Sequence, residues 1–278
     1  MKLLLPITAL TMLVACNKAL VQPTAQTPTG IVVKETPKER KLIWSDEFSS
    51  DGLPDPAKWR YDVGGTGWGN NELQYYTKDR PENARVEKGN LIIEAHKEAY
   101  QGRAYTSARL LTQNTATWTY GRFEIRAKIP AGRGTWPAIW MLGTNIPTAG
   151  WPLCGEIDIM EHVGFDQGVV HGTIHSEAYN HTKGTQKGQQ KTVPTASTDF
   201  HLYTVDWTAD KIDFLVDNAV YYTLTKTALG SNTAQWPFER PFFLLLNVAV
   251  GGGWGGQKGV DDTIWPRRME VDYVRVYQ

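Results

Sequence analysis

Residues Met269–Tyr277 have the sequence MEVDYVRVY, in which apolar and polar side chains largely alternate. Successive side chains of a β-strand point to opposite faces, so this period of two predicts a strand with one face in the core. Gly121–Ile129, with the sequence GRFEIRAKI, has the same period, whereas Phe242–Val250 is nearly all apolar. A nearly continuous apolar run is typical of a central strand that is buried on both faces.

Four further segments have the composition of strands: Leu91–Ala95, Leu202–Trp207, Lys211–Asp217 and Val220–Leu224. The last two flank Asn218-Ala219, which predicts a hairpin with its turn at that pair. We count about twelve strands and no long helix, with Gly, Pro and Asn between the strands. The pattern predicts an all-β fold, a two-sheet β-sandwich, that forms one domain over residues 41–278 without an internal repeat.

Three acidic residues interrupt the apolar segment Gly155–Val163, with the sequence GEIDIMEHV. Carboxylates are costly in an apolar strand, so a structural role alone does not explain them. Glu156 and Asp158 are two residues apart and share a face of the strand. Glu161 would fall on the opposite face unless one extra residue, near Met160, is absorbed as a β-bulge.

Two carboxyl groups on one face match the chemistry of glycoside hydrolysis. A separation of about 5–5.5 Å gives retention of configuration through a covalent glycosyl intermediate. The backbones of Glu156 and Glu161 would lie roughly 13 Å apart along a strand, so their side chains must lean together over a concave face. Asp158, between them, can orient Glu156 and keep Glu161 protonated. A solvated acidic strand is the alternative, and the apolar residues between the acids argue against it.

The chain has 11 Trp and 12 Tyr, a composition that suits both a β core and a groove that stacks on sugar rings. Trp136 and Trp140 are four residues apart and therefore share a face, where they could stack on consecutive sugars or pack in the core. Gly251–Gly256, with the sequence GGGWGG, formally fits a nucleotide-binding glycine motif. No helix is predicted after it, so a loop that presents Trp254 to sugar fits better.

Two other clusters could hold chemistry. His171 and His175 share a face and His181 follows, but no Cys pair or HExxH-like order supports zinc. Cys154 lies close to Glu156, yet no dedicated base accompanies it, which favours a small buried thiol over a nucleophile.

The N-terminus predicts export. Residues 1–15 have one positive charge and then an apolar run that is too short to span a bilayer, as in a signal peptide. The run ends in LVAC at Cys16, which resembles a bacterial lipobox and implies lipidation of that thiol; an ordinary signal peptide with an incidental Cys is the alternative. Residues 16–40 then form a polar tether of roughly 25–30 Å. Lipidation of Cys16 would leave Cys154 alone, without a disulfide.

The charge balance narrows the choice of partners. The sequence has 29 basic and 29 acidic residues and a net charge of zero, so nothing directs it to nucleic acid. We expect a monomer anchored in a membrane by lipid, in the outer membrane or at the cell surface if the source is Gram-negative.

The segment Glu156–Glu161 matches the signature of glycoside hydrolase family 16, and further matches resemble its laminarinase branch, the endo-β-1,3-glucanases. They are NNELQYYT at Asn70–Thr77, GTWPAIWML at Gly134–Leu142, LNVAVGG at Leu246–Gly252 and VDYVRVYQ at Val271–Gln278. The resemblance covers residues 42–278 and implies a β-jelly-roll with a substrate cleft on its concave sheet. It implies Glu156 as nucleophile, Asp158 as its helper and Glu161 as acid/base. Met160 is an insertion that lichenases of the family lack and that laminarinases, agarases and carrageenases carry.

The resemblance also implies binding roles. Asn71, Arg109, Trp136 and Trp140 would line the glycone side of the cleft, and His175 would contact substrate. Catalysis would require no cofactor. A structural calcium ion would be held by Glu47, Gly89 and Asp272, although two acids on separate strands can equally be surface charges.

The sequence thus predicts retaining endo-hydrolysis of laminarin-type β-1,3-glucan, with the polysaccharide as partner. One alternative is hydrolysis of an algal galactan such as agarose, because agarases share the inserted residue. Another is a non-catalytic surface lipoprotein that binds glycan. The presence of all three acids argues against the second alternative, and the Trp136 and Trp254 segments favour glucan over galactan.

Overall fold

The regular structure of residues 40–278, the part of the chain that the computed structural model describes, consists almost wholly of strands. In chain order these are β1 Leu42–Asp46, β2 Arg60–Asp62, β3 Gln74–Tyr76, β4 Ala84–Glu87, β5 Asn90–Tyr100, β6 Arg103–Ser107, β7 Arg109–Leu111, β8 Gly121–Lys128, β9 Thr135–Gly143, β10 Glu156–His162, β11 Val169–His175, β12 Lys187–Thr192, β13 His201–Trp207, β14 Lys211–Val216, β15 Ala219–Thr225, β16 Phe242–Val250 and β17 Arg267–Tyr277. Short helices α1 Ile146–Ala149 and α2 Lys226–Leu229 and a 3-10 turn at His181–Lys183 complete them. None of the helices within this range is long and apolar enough to cross a bilayer.

The number of strands exceeds the prediction. Seventeen strands occur within residues 40–278, against about twelve expected. Several of the additional strands, such as Arg60–Asp62 and Arg109–Leu111, have only three residues. Three residues are too few to display a period of two, so their pairing depends on neighbouring strands rather than on local pattern.

The strands form two sheets, as predicted. One has ten strands, with the order β15-β14-β13-β8-β17-β5-β6-β3, while β1 pairs with β17 and β4 with β5. The other has seven strands, with the order β12-β11-β10-β9-β16-β7-β2. The two segments whose alternation predicts strands most clearly, in β8 and β17, are neighbours in the middle of the larger sheet.

The alternating residues of the larger sheet divide as expected. Phe123 and Ile125 of β8 and Val274 and Val276 of β17 are fully buried in the core between the sheets. Full burial of each such side chain contributes about 1.5–3 kcal/mol. The charged residues between them lie on the outer surface, where Arg126 forms an ion pair with Asp272.

Strand β16 is buried along its whole length, as its apolar sequence predicts. Leu244 and Leu246 point into the core between the sheets. Phe243 and Leu245 point to the other face of the seven-stranded sheet, where they form a second apolar cluster. Its other members are Leu111, Leu142 and Cys154, with Trp140, Ile146 and Trp151 packed on it. This cluster lies on the same face of the sheet as the polar side chains described below.

The predicted hairpin exists, but its turn is one residue earlier than expected. Val216 pairs with Ala219, so Asp217 and Asn218 form the two-residue turn. Both have positive φ, 50° and 64°. Two-residue hairpin turns of this kind require positive φ at both positions, which Asp and Asn tolerate and Ala219 does not.

The described part of the chain begins at Arg40, whose guanidinium donates two hydrogen bonds of 2.6 Å to Asp206. Residues Arg40–Gln278 form one compact unit. The predicted signal peptide, the lipidated Cys16 and nearly all of the predicted tether lie outside the described residues.

Candidate active site

A β-bulge in β10 brings the three acids to one face. Asp158 pairs with Trp140 of β9 and Met160 with the adjacent Ile139, so Ile159 is the extra residue on the β10 side. The register with β11 shifts at the same place. Ile159 and Met160 are consequently both buried in the core. The bulge predicted near Met160 is therefore present, and it returns Glu161 to the face of Glu156 and Asp158.

This face is the outer surface of the seven-stranded sheet, and we call it the cleft. Several neighbouring strands contribute side chains to its floor. Residues that are paired between adjacent strands place their side chains next to each other on the same face. The side chains on it are Glu156, Asp158 and Glu161 of β10, His171 and His175 of β11, Trp136 and Trp140 of β9, Asn247 of β16 and Arg109 of β7. Loop residues Trp68, Trp151, His181 and Trp254 pack against this floor.

The Glu156 carboxyl group contacts the indole of Trp151 and the imidazole of His175. Trp151 Nε1 donates a 3.0 Å hydrogen bond to Glu156 Oε2. His175 Nε2 lies 3.7 Å from Glu156 Oε1 and 3.4 Å from Asp158 Oδ2. The Glu156 side chain is 14% exposed and that of Asp158 only 4%, so Glu156 is the more accessible of the two. His175 therefore lies beside the acids of β10, and its contact with substrate stays a prediction.

Glu161 is held by a second indole. Trp136 Nε1 donates a 3.0 Å hydrogen bond to Glu161 Oε1. The Trp254 ring meets Trp136 edge-on at 5.6 Å and His171 at 4.9 Å. The Trp254 loop approaches closely because it is rich in glycine, since a Cβ on Gly255 would lie 2.8 Å from Trp136 Cβ. No helix follows this loop, so the loop does not have the context of a nucleotide-binding motif. The contacts of Trp254 with Trp136 and His171 place its ring at the cleft.

The cleft raises the pKa of all three carboxyl groups. Burial raises the pKa of Glu156 well above its ordinary value, and the charge of Asp158 adds to the effect. Burial and the charge of Glu161 do the same to the pKa of Asp158. The pKa of Glu161 is also raised by burial. Three like charges do not ionise independently on one buried face, so the triad keeps a proton to higher pH than isolated carboxyl groups would.

Arg109 and Trp140 form the far side of the cleft. The Arg109 guanidinium lies between two indoles, 4.6 Å from the Trp140 ring and 4.9 Å from the Trp68 ring. It also forms a 2.9 Å ion pair with Asp62. Trp140 Nε1 donates to Asn247 Oδ1 at 2.7 Å. The two predicted tryptophans therefore share a face, with Arg109 beside Trp140.

Asn71 is placed differently from the other predicted sugar contacts. It is exposed, has a φ of 57° and lines a surface depression together with Gly251, Gly252 and Gly253. It thus lies at the rim of the cleft, beside the Trp254 loop, rather than against the three acids.

Three residues of the site were not predicted as functional. Trp151 reaches Glu156 from a loop, and Trp68 stacks on Arg109 from a loop on the other side. Glu72 is a buried carboxylate within the Asn70–Thr77 motif, which served only as a family marker. The sequence could have indicated Glu72, because it is an acid among aromatic and amide residues. The two tryptophans lie in loops, where no periodic pattern indicates a functional position.

The three histidines and Cys154 lie in different surroundings. His181 stacks on Trp151 at 4.8 Å and meets His175 edge-on at 5.3 Å. Over residues 40–278 the one set of side chains with metal-ligand proximity is Glu156, Asp158 and His175, so the three histidines do not form a zinc site. Cys154 is buried and burial raises its pKa to about 12, as expected for an inert thiol.

The predicted calcium residues lie together, and their carboxylates are paired with arginines. Pairing of β17 with β1 and β5 brings Glu47, Gly89 and Asp272 to the same part of the larger sheet, where β1 ends and β5 begins beside β17. However, Glu47 accepts two hydrogen bonds from Arg275, at 3.0 and 2.8 Å, and Asp272 pairs with Arg126. Calcium requires six to eight oxygen ligands. Both carboxylates neutralise arginines in this arrangement, so calcium binding here stays a prediction.

Comparison with known proteins identifies related folds. The family Glycosyl hydrolases family 16 matches residues 71–275. A β-glucanase of Rhodothermus marinus is 60% identical over 243 residues, which cover 86% of this chain and 85% of the relative. The X-ray structure of the laminarinase from Rhodothermus marinus superimposes with a TM-score of 0.84 at 59% identity, covering 86% of this chain and 98% of that one.

A third relative was solved with a sugar. It is a mutant of SCLam, a non-specific endo-β-1,3(4)-glucanase co-crystallised with 1,3-β-D-cellotriosyl-glucose. It matches with a TM-score of 0.84 at 51% identity and covers 87% of this chain and 96% of that one.

Proposed function

Because this chain belongs to glycosyl hydrolases family 16, we propose that it is an endo-acting β-1,3-glucanase that cleaves laminarin-type glucan with retention of configuration. The observation that carries the proposal is the bulge of β10, which holds three carboxyl groups in a cleft walled by indoles. The similarity to glucanases and laminarinases supports glucan as the substrate.

In the proposed mechanism Glu156 is the nucleophile and Glu161 the acid/base. Glu156 Oε attacks the anomeric carbon while the glycosidic bond breaks and the leaving oxygen takes the proton of Glu161. A water molecule then attacks the same carbon, gives a proton to Glu161 and releases Glu156 as a carboxylate. Carboxyl groups and water complete this cycle, so it needs no cofactor.

The surroundings of the two glutamates support this division of roles. The Trp151 N–H holds Glu156 Oε2 in place and stabilises its negative charge. His175, 3.7 Å from Glu156, lowers the pKa of this carboxyl group against the larger effect of burial, which favours the ionised form of the nucleophile. Asp158 lies between the acids, and its interaction with Glu161 keeps a proton on these two carboxyl groups to higher pH than isolated groups would.

The aromatic walls support a sugar polymer as ligand. Trp136 and Trp254 stand beside Glu161, and Trp140 with Arg109 stands on the other side of the floor. Indole faces stack on sugar rings, while the guanidinium and amide groups can bond to hydroxyls. A galactan such as agarose remains the second candidate, because the inserted Met160 is a feature that agarases share.

Product analysis on laminarin, lichenan and agarose, run side by side, tests the substrate. We expect laminarin to give a ladder of short oligosaccharides, and the first product detected by proton NMR to have the β configuration. We expect Glu156→Gln, purified in the same way, to give no products, because this variant lacks the proposed nucleophile.

Three outcomes would contradict the proposal in different ways. Preferential cleavage of agarose would establish the galactan alternative. Binding of laminarin without cleavage would establish a non-catalytic glycan-binding protein. Release of glucose alone from chain ends would contradict endo action.

We also propose that the chain is exported and anchored by lipid on Cys16. The motivation is the apolar leader that ends in LVAC, followed by a polar segment. Loss of the lipid attachment site removes the membrane affinity, so Cys16→Ser is expected to release the domain from the membrane fraction. Cell fractionation with an activity assay measures this. Cys154→Ala is the matched control and should remain with the membranes, and a Cys16→Ser protein that also remains there would contradict lipidation.

A further inference from the structure

A buried carboxylate outside the catalytic strand, that of Glu72, organises one wall of the cleft. Glu72 is 5% exposed. Its Oε2 accepts hydrogen bonds from Gln74 Nε2 at 2.5 Å and from the Tyr76 hydroxyl at 3.2 Å. Its Oε1 accepts a long bond of 3.4 Å from Asn70 Nδ2. An acid at this depth needs several donors to remain ionised.

The direction of every hydrogen bond in this network follows from its two ends. Trp140 Nε1 can only donate, so Asn247 Oδ1 accepts at 2.7 Å. Asn247 Nδ2 then donates to the Tyr76 hydroxyl oxygen at 3.1 Å. The hydroxyl proton is left to point at Glu72. The chain from Trp140 therefore ends on the Glu72 carboxylate as an acceptor.

The second end gives the same result independently. The backbone N–H of Val250 can only donate, and it donates to Gln74 Oε1 at 2.8 Å. The Gln74 amide nitrogen must therefore face Glu72. Both branches need an acceptor at Glu72, which the carboxylate provides for both at once. Both donors reach the same oxygen, Oε2, and an ionised carboxylate oxygen accepts them more strongly than a neutral amide oxygen would. An amide at this position would also turn its NH₂ group toward Asn70 Nδ2, which donates to Oε1.

We propose that Glu72 is a positioning residue that acts through Tyr76 and Asn247 to fix the indole of Trp140 in the substrate cleft. This proposal rests on the proposed function, because it assigns Trp140 to the binding of the sugar. Glu72 does not contact the three catalytic acids, and its effect on substrate passes through the hydrogen-bond chain.

Glu72 also lies near the wall that holds Glu161. A Cβ on Gly252 would lie 3.4 Å from Glu72 Cγ and 3.3 Å from Trp136 Cζ3, so both side chains flank the same glycine. Trp136 in turn donates to Glu161. A negative charge on Glu72 raises the pKa of Glu161, although burial has the largest effect and His175 and Trp136 lower this pKa. Burial raises the pKa of Glu72 itself, while its hydrogen-bond donors and the charge of Arg109 lower it.

The sign of the resulting pH effect follows from the charges around Glu161. Asp158 is the acidic neighbour on its own strand, His171 and His175 face it from β11, and Glu72 faces it from the loop before β3. Removal of the Glu72 charge lowers the pKa of Glu161. The acid form of Glu161 would then be lost at lower pH, and the basic limb of the kcat/KM profile should move to lower pH.

Glu72→Gln and Tyr76→Phe separate the two effects. We expect Glu72→Gln to lower kcat/KM on laminarin at least about tenfold, equivalent to about 1.4 kcal/mol, and to shift the basic limb to lower pH. Tyr76→Phe breaks the link to Trp140 but keeps the charge, so it should lower kcat/KM without the pH shift. Glu82→Gln, which removes an exposed carboxylate elsewhere, should behave as wild type.

The indole N–H of Trp140 gives a readout that does not depend on activity. Its ¹H–¹⁵N resonance is assigned by its absence in Trp140→Phe. We expect Glu72→Gln to shift this resonance and to speed its hydrogen exchange. In the Trp140→Phe background, Glu72→Gln should lower kcat/KM less than in wild type, because the shared network makes the effects non-additive.

Two results would overturn the positioning role. One is an unchanged Trp140 resonance in Glu72→Gln. The other is a lowered Tm with kcat/KM and pH profile as in wild type, which would make Glu72 merely structural. If wild-type protein does not cleave laminarin, the proposed function fails, while the resonance still decides whether Glu72 holds Trp140.

Discussion

Glu156→Gln is expected to lose laminarin hydrolysis by a factor on the order of 10⁴ or more, because an amide cannot form the glycosyl ester. The Trp151 indole can still hydrogen-bond the side-chain oxygen, so we expect the fold and sugar binding to persist. Loss of turnover with an unchanged Tm would therefore report on chemistry rather than on folding. Initial rates on laminarin and on an activated aryl glycoside measure the effect.

Glu161→Gln is expected to fail in a different way. General acid–base groups contribute about 10²–10⁴-fold, and an activated aryl leaving group needs little protonation. The first step should therefore partly survive on the aryl glycoside, and the second should stall because no base activates water. Azide needs no base, so it should restore turnover and give the β-glycosyl azide.

The configuration of the azide product tests the assignment of the two roles. In Glu156→Ala the nucleophile is absent, and azide should attack from the opposite face to give the α-azide. The α-azide from the Glu161 variant and the β-azide from the Glu156 variant would mean that the roles are reversed. Both glutamates are partly buried beside an indole donor, so burial alone does not distinguish them.

The strands with a clear hydrophobic pattern of their own could be predicted from the sequence. The alternation of β8 and β17 and the apolar run of β16 carry their own periodicity, and the structure confirms all three as strands. The turn was predicted at Asn218-Ala219, one residue too late. Its position depends on which two residues adopt positive φ, and these are Asp217 and Asn218. Three-residue strands carry no period, so their existence depends on partners distant in sequence.

The same division holds for the site. The bulge in β10 could be predicted, because counting faces along one strand requires only local sequence. The Glu72 network could not, since its bond between Tyr76 and Asn247 joins residues 171 positions apart. The residues of the predicted calcium site come to one part of the larger sheet, but the ion pairs of Glu47 with Arg275 and of Asp272 with Arg126 were not predicted, because each joins two different elements of the fold. Long-range pairing of charges is not visible in a local pattern.

Deletion of Ile157 is expected to abolish hydrolysis, whereas deletion of Met160 should leave measurable activity. Before the bulge, β10 and β9 pair residue for residue, with Glu156 opposite Leu142 and Asp158 opposite Trp140. Loss of Ile157 moves Glu156 by one position and turns its carboxylate toward the core. A charge buried there without a partner costs several kcal/mol, so the strand slips or unfolds, and in both cases the nucleophile leaves the cleft.

Deletion of Met160 acts within the bulge and has the opposite geometric effect. The β9 partners of Asp158 and Glu161 are two steps apart, whereas the two acids are three steps apart on β10. Without Met160 the pairing becomes residue for residue and Glu161 stays on the cleft face. Loss of the buried Met160 side chain should lower the free energy of unfolding by about 2–5 kcal/mol. A change of about 1 Å in the aim of Glu161 can cost about a hundredfold in rate.

Thermal unfolding, circular dichroism and laminarin hydrolysis on the two deletion variants measure these effects together. If the placement of the acids on one face is what makes the site, the Met160 deletion should fold and hydrolyse laminarin slowly, and the Ile157 deletion should show no hydrolysis above background. A folded and active Ile157 deletion would contradict the face argument. A folded Met160 deletion with no activity would mean that the bulge itself, rather than the face it restores, aims Glu161 at the glycosidic oxygen.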